Sequence, residues 1–476
     1  MQADIKKIAR PGKDQNIAFL VKDVSEIHEG YLSPGEIQFI TGKRKKDKQD
    51  FFSFNRLGYW IFVQFLKSPE EVTNRIENCR KAGDSLGFFL NEQKAVQIVI
   101  LDSGNDPAEI LAYAEGLALG NYQFLKYKTI QKKKNTLGKI SICCKKVSEK
   151  EANQLSALVE AVFHCRNLVN EPNTFMTAVV FSKEVEKLAK SVGIKVEVMN
   201  KEKIKSLRMG GLLGVNKGSH EPPTFTILEW LPDSPVNKKP YVFVGKGVVF
   251  DTGGMNLKPG DFMNNMKVDM AGAAAVASAI YAIAKSGLQV HVIGLMPATD
   301  NRPGPQAIVS GDILRMHNGM TVEVINTDGE GRLILADALS YAKKYDPELV
   351  IDLATLTGAA SRAIGKFGMV AMQSKAKKEL ELLKSAGWNT YERIVEFPNW
   401  DEYGEGIKSE IADLKNLGPA DGGAITAGKF LEKFTDYPYI HLDIAGPALL
   451  EKRDSYRGSG GTGVGVRLLF NFVKNL

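Results

Sequence analysis

The chain has 476 residues, 44% of them hydrophobic and 25% charged, with a formal net charge of +7. That length allows two or three domains with sizeable cores, in the ordinary globular range. The modest charge argues against a dedicated nucleic-acid binder. The four cysteines are Cys79, Cys143, Cys144 and Cys165. None forms a C-x-x-C pair, so neither a disulfide framework nor a thiolate zinc site is indicated, and a reducing compartment is the simplest reading. The N-terminus has no signal-peptide pattern. No apolar run approaches the ~20 residues a spanning helix needs. A cytoplasmic protein without a membrane partner is expected.

In chain order, Ile17–Val21, Glu36–Ile40 and Tyr59–Leu66 read as strands and Pro69–Ala82 as a helix. Val96–Leu101 follows as a strand and Pro107–Leu119 as a helix, so residues 1–150 are expected to form a small α/β domain. Two basic runs, Lys43–Lys48 and Lys132–Lys134, fall between these elements. Without interleaved aromatics they read as solvated loops, not as a polyanion patch. A polar stretch, Lys145–Asn153, leads into an amphipathic helix from about Leu155 to Leu168, which places a domain boundary near residue 150. Beyond it, Tyr241–Val244, Val248–Phe250, Val290–Leu295, Val322–Ile325 and Leu349–Leu353 read as strands. Ala271–Ala284 and Leu333–Lys344 read as helices, the first rich in small residues. The fold class expected is α/β: a small N-terminal domain (1–150), then a larger one (151–476) with a mixed, largely parallel sheet covered by helices. Gly458–Gly463 matches G-x-G-x-x-G, but too little chain follows for a dinucleotide fold, leaving a glycine-rich turn before a terminal helix.

Two segments carry chemistry. One runs Val244-Gly-Lys246-Gly-Val-Val-Phe-Asp251-Thr-Gly253-Gly254 and continues through Lys258 to Asp269. The other is Asn326-Thr-Asp328-Gly-Glu330-Gly-Arg332-Leu. One glycine separates Asp328 from Glu330, so an extended backbone would point both carboxylates the same way. With Asp251 and Asp269 they make four carboxylates, which would repel one another unless cations neutralise them. Two divalent ions would balance that charge. Taken singly, each residue has a simpler reading. Asp328-Gly329 suits a hairpin turn, Arg332 a surface ion pair, Asp269 a helix N-terminus and Lys246 solvent. His441, in an apolar strand, reads as structural.

Together these residues resemble the leucine (cytosol) aminopeptidase family of metallopeptidases, whose hallmark has the form N-T-D-A-E-G-R-L. Further matches are Asn167–Pro172, Leu213-Gly-Val, Gly218-Ser, Pro222-Pro223, Asp352–Gly358 and His441–Gly446, in the right order from Asn167 onward. The resemblance implies two divalent ions, Zn, Mn or Mg. One would be held by Asp251, Asp328 and Glu330, the other by Lys246, Asp251, Asp269 and Glu330, with Lys246 as neutral amine. Lys258 would stabilise the oxyanion, and Arg332 would hold a bicarbonate acting as general base. Met266, Asn326, Thr355, Leu356, Gly358 and Ala445 match substrate-contacting positions.

The implied function is metal-dependent hydrolysis of the N-terminal residue of peptides by a leucyl-type aminopeptidase, with apolar residues such as Leu or Met preferred. A homohexamer is implied as well, with residues 1–150 in an assembly or regulatory role. The alternatives are a narrow dipeptidase, for example for cysteinylglycine, and an added DNA-binding role, which is not favoured. Three departures bear on pocket shape and not on any ligand position. Gly329 replaces the usual Ala, Val309-Ser-Gly-Asp312 replaces R-P-G-D, and Pro447 follows the I-A-G motif.

Overall fold

Local sequence signals settle where the first elements begin. The computed structural model describes residues 3–27, 30–66, 71–104, 106–130 and 133–476. Its chain divides into two units, Met1–Phe163 with Lys452–Gly458, and His164–Glu451 with Ser459–Leu476.

In the first unit a six-stranded sheet has the order Asp4–Lys7, Lys139–Cys143, Gln97–Asp102, Ile17–Val21, Trp60–Phe65, Phe51–Asn55. All neighbours are parallel except the last pair. Glu36–Ile40, expected as a strand, instead lies in the helix Pro34–Asp47. The reason is a capping box. Ser33 accepts from Glu36 N, the Glu36 carboxylate accepts from Ser33 N at 2.8 Å, and Pro34 occupies the first turn. The basic run Lys43–Lys48 is likewise not a loop. Arg44, Lys45 and Lys46 form the last turn of that helix, where positive charge complements the helix dipole, and Lys48 caps it. The helix expected at Pro69–Ala82 runs Val72–Glu92; residues 69–70, and Lys132 of the second basic run, lie outside the described residues.

That helix crosses Pro107–Gly120 so closely that only glycine fits at the contact. A Cβ on Gly83 would lie 2.1 Å from Tyr113 O, and one on Gly116 1.9 Å from Arg80 O. The segment Lys452–Gly458 belongs here through Arg453 on Asp84 (2.6 Å) and the Tyr456 hydroxyl donating to Glu77 (2.8 Å). The amphipathic helix spans Glu149–Asn170, started by a second Ser/Glu box between Ser148 and Glu151, and the division between units falls inside it.

The second unit is built on a nine-stranded sheet. Its centre is four parallel strands, in the order Tyr439–Asp443, Leu349–Ala354, Tyr241–Gly245 and Val292–Asn301. Gly247–Asp251 pairs with the far end of Val292–Asn301. Antiparallel neighbours, Met369–Ser374 and Thr224–Trp230, flank the centre. The core is the continuous apolar filling expected of strands buried on both faces. Helix Ala271–Lys285 approaches closely, because a Cβ on Gly245 would stand 2.4 Å from Ala273 Cα. Together with the turn before it, this helix gives a 20-residue segment, Met266–Lys285, long and apolar enough to cross a membrane by length and composition alone. That overturns the expectation that no apolar run approaches this length. The segment is 89% buried inside the unit, as a core helix is.

Helix Glu330–Ala342 carries a buried carboxylate, Asp337, which accepts from Leu212 N (2.9 Å) and His317 N (2.8 Å). Burial pushes its pKa up to about 7 against the pull of these backbone donors. Between pH ~4, where the unfolded chain ionises, and about 7, the folded chain holds a proton that the unfolded chain has released. Stability therefore falls as pH rises through that window. Asp337→Asn, which does not titrate, is expected to flatten this slope in denaturant unfolding from pH 4.5 to 7.5. Equal slopes in the two proteins would show that Asp337 ionises alike in both states.

Candidate metal centre

The carboxyl ends of the parallel strands collect the charged residues. Lys246 follows Tyr241–Gly245, Asp251 ends Gly247–Asp251, Thr355 follows Leu349–Ala354 and Asp443 ends Tyr439–Asp443. This is the edge at which open α/β sheets bind ligands. Two helix starts face it. Asp269 sits in the turn Met266–Met270 just before Ala271–Lys285, and Glu330 is the first residue of Glu330–Ala342. Carboxylates gain there from the helix dipole.

The extended backbone expected between Asp328 and Glu330 is absent. Asp328 lies in a turn closed by Gly329 N donating to Asn326 O (3.1 Å), and Gly329 caps the helix that Glu330 begins. The turn achieves the convergence instead, since ligand atoms of Asp251, Asp328 and Glu330 all lie within 4.8 Å of one another. It is also not a hairpin. Glycines make the crowding possible. Gly253 and Gly254 have φ of 87° and 68°, and a Cβ on Gly331 would stand 2.4 Å from Lys246 Cε.

Lys246 is buried, not solvated. Its Nζ donates to Asp269 Oδ1 (2.8 Å) and Thr355 O (3.0 Å) and lies 2.8 Å from Glu330 Oε1. Lys258 lies between Asp251 Oδ2 (2.7 Å) and Asp328 Oδ1 (2.6 Å). Burial would lower both ammonium pKa values, but the surrounding carboxylates outweigh it and hold both above the ordinary lysine range. Asp269 is pushed well up by burial, with Lys246 opposing. Asp328 rises to about 6, first through desolvation and then through repulsion from Asp251 and Glu330.

Arg332 does not form the surface ion pair of its simpler reading. It is buried, with Nε and Nη1 lacking any hydrogen-bond partner, and burial lowers its pKa to about 10. Glu330 Oε2 is likewise buried without a partner. These unpaired atoms suit a cation at the carboxylates and an anion at the guanidinium.

The remaining expected positions are placed unequally. Asn326 accepts from Asp328 N (2.7 Å), and the Thr355 hydroxyl donates to Asp269 Oδ1 (2.7 Å). Leu356 and Ala445, both half-buried, donate their amides to Asp443. Met266 lies three residues before Asp269, and Gly358 opens the helix Gly358–Ile364, exposed. His441 is in the core, its Nδ1 2.8 Å from Asp352 Oδ1.

Three supporting residues were not anticipated. Asn301 donates to Asp251 Oδ1 (2.9 Å) and Thr327 O (3.0 Å). Asn416 accepts from Ile325 N (2.7 Å) and donates to Asn326 O (2.7 Å), cradling the turn from behind. Asn256 accepts from Thr327 N (2.8 Å). A polar residue closing the apolar strand Val292–Asn301 was a signal for the first. Asn416 is some 90 positions from its partners and offered none.

A family model described as the cytosol aminopeptidase family, catalytic domain, matches residues 163–470. The chain belongs to the cytosol aminopeptidase family. It is accordingly a leucyl-type aminopeptidase, a hydrolase that removes N-terminal residues from peptides in a metal-dependent reaction. The chain is 42% identical to a probable cytosol aminopeptidase of Chlorobium limicola over 84% of each chain. It is 43% identical to one of Geobacter sulfurreducens over 80% of this chain and 78% of the relative. Among solved structures, a mutant of tomato leucine aminopeptidase superposes with a TM-score of 0.86 at 28% identity, covering 100% of this chain and 97% of that one. The bottromycin maturation enzyme BotP in complex with Mn gives 0.85 at 27% identity, over 98% and 99% of the two chains. Both structural likenesses cover 98% or more of this chain, so the shared fold extends to the residues that precede the matched catalytic domain.

A ligand that binds only the folded chain stabilises it by about 2.7 kcal/mol at a hundredfold excess over its Kd. Chelation is therefore expected to lower the melting temperature and re-addition of divalent ions to restore it. In Asp251→Asn and Glu330→Gln the ion-dependent shift should vanish. A shift of wild-type size in both would place the ions elsewhere.

Proposed function

We propose that Lys246, Asp251, Asp269, Asp328 and Glu330 hold two divalent ions, one on Asp251, Asp328 and Glu330, the other on Lys246, Asp251, Asp269 and Glu330. The observation that carries this reading is the meeting of three carboxylates within 4.8 Å beside a buried lysine and an unpaired carboxylate oxygen. Lys246 would have to act as the neutral amine to hold an ion there, giving up its proton. Oxygen donors with one amine suit Zn, Mn or Mg, and the Mn in BotP favours Mn among them. Bound there, the ions would supply Lewis acidity at the scissile carbonyl and would lower the pKa of the attacking water.

The chain's own residues do the rest. Lys258 keeps its proton and lends positive charge to the oxyanion formed at the scissile carbonyl. Arg332, with two unpaired donors, would hold a bicarbonate-like anion, which would supply a general base beside the attacking water. Met266, Asn326, Thr355, Leu356, Gly358 and Ala445 surround the substrate's N-terminal residue. The flexible Met266 and small Ala445 favour Leu or Met over Asp, Glu or Pro. A homohexamer in the cytoplasm, with residues 1–150 serving assembly or regulation, completes the reading. The relatives' names support the cytoplasmic location, the position of every cluster residue from Lys246 onward supports the separate role of residues 1–150, and the homohexamer rests on the family resemblance alone. Including cysteinylglycine in the substrate panel, and a DNA-retention assay at rising salt, separates the narrower dipeptidase and DNA-binding alternatives.

Lys258→Ala should keep its metal and lose about 10²–10³ in kcat. A rise in KM at unchanged kcat would make Lys258 a binding contact. Ala445→Leu should shift preference from Leu- toward Ala-anilides by about 1–3 kcal/mol, the worth of a methylene-scale pocket change. An unchanged kcat/KM ratio would remove Ala445 from the pocket wall.

A further inference from the structure

Two loops leave the sheet side by side. Ala354 and Asp443 are paired at the ends of adjacent parallel strands. Beyond them run Thr355-Leu356-Thr357 and Ile444-Ala445-Gly446. Asp443 is 2% exposed and turns its carboxylate into the gap between these loops. Its Oδ1 accepts from Leu356 N (3.2 Å) and from Ala445 N (3.1 Å). Its Oδ2 accepts from the Thr357 hydroxyl (2.7 Å), and Thr357 Oγ1 in turn accepts from Ala360 N (3.0 Å), capping Gly358–Ile364. The neighbouring Thr355 is fastened to the charged cluster, through its hydroxyl on Asp269 and its carbonyl on Lys246. Leu356 is thus held between the cluster on one side and Asp443 on the other.

We propose that Asp443 is a positioning residue that sets side-chain specificity, because one carboxylate oxygen fixes the amides of both Leu356 and Ala445. This rests on the reading that those two residues line the pocket for the N-terminal side chain. A carboxylate takes several donors at once and holds them at fixed spacing. The distance between the two walls is therefore set by a single group. Replacing it frees both walls together while leaving the five proposed ligands in place. A group that merely stabilised the fold would lower turnover of all substrates alike.

The test measures kcat/KM for Leu-, Met- and Ala-anilides, with metal content, in wild type, Asp443→Asn and Asp443→Ala. Asp443→Ala is expected to retain its metal and lose at least tenfold of the Leu-over-Ala preference. Asp443→Asn, which keeps an acceptor for the two amides, should hold that preference within about threefold. A uniform fall for all three substrates in Asp443→Ala overturns the proposal. Should that variant fail to fold, Asp443→Glu moves the carboxylate by one methylene while keeping its charge; a changed preference supports the proposal and an unchanged one overturns it. Ala445→Leu in parallel separates the two failures. If it shifts preference and the Asp443 variants do not, the pocket reading stands and the role of Asp443 falls. If Ala445→Leu shifts nothing, the pocket reading itself is lost.

Discussion

Mutual repulsion among Asp251, Asp269, Asp328 and Glu330 is the constraint around which the second unit is organised. Four carboxylates stand at one sheet edge, three of them buried, in surroundings where an unbalanced charge costs several kcal/mol. Within the chain, Lys246 and Lys258 balance half of that charge. The helix starts at Glu330 and before Ala271 add partial positive charge. The remainder is charge that bound cations would neutralise. Desolvation, and then this crowding, lifts Asp328 to about 6, and the same carboxylates keep both lysines above their ordinary range.

Holding repelling groups together requires a frame that cannot relax. Gly253, Gly254 and Gly331 let backbone and lysine approach where any side chain would collide. Asn301 ties Asp251 to Thr327 and Asn416 holds Ile325 and Asn326, so the turn that carries Asp328 and Glu330 is fastened from two sides and cannot swing away to relieve the repulsion. Beneath them lies a core of parallel strands, with a small-residue helix packed almost in backbone contact. Supporting groups of this kind fix ligand orientation at metal sites generally. Asp443 extends the frame outward, tying the loops beyond the cluster to the same sheet edge.

The fold was legible where periodicity and burial agree. The strands Ile17–Val21 and Leu349–Ala354 and the helix Pro107–Gly120 lie within a residue or so of expectation. It was illegible where a short alternating run competed with a cap. Glu36–Ile40 alternates like a strand, but the Ser33/Glu36 box and Pro34 commit it to a helix in which Ile40 is the buried residue. The site's membership was readable because glycines crowd its charges within two short segments. Its geometry was not, because the turn at Gly329, not an extended chain, aligns Asp328 with Glu330. Asn416 and Asp443 act across long stretches of sequence, through hydrogen bonds that only the folded chain defines.

The central claim is that this cluster is a two-ion site on which hydrolysis depends. Mass-spectrometric metal analysis of the purified protein, run beside turnover of a panel of aminoacyl fluorogenic substrates, tests it most directly. Two divalent ions per chain are predicted, with activity lost as they are removed and regained as they are restored. Full turnover in protein carrying no ion, or a single one, would contradict the account.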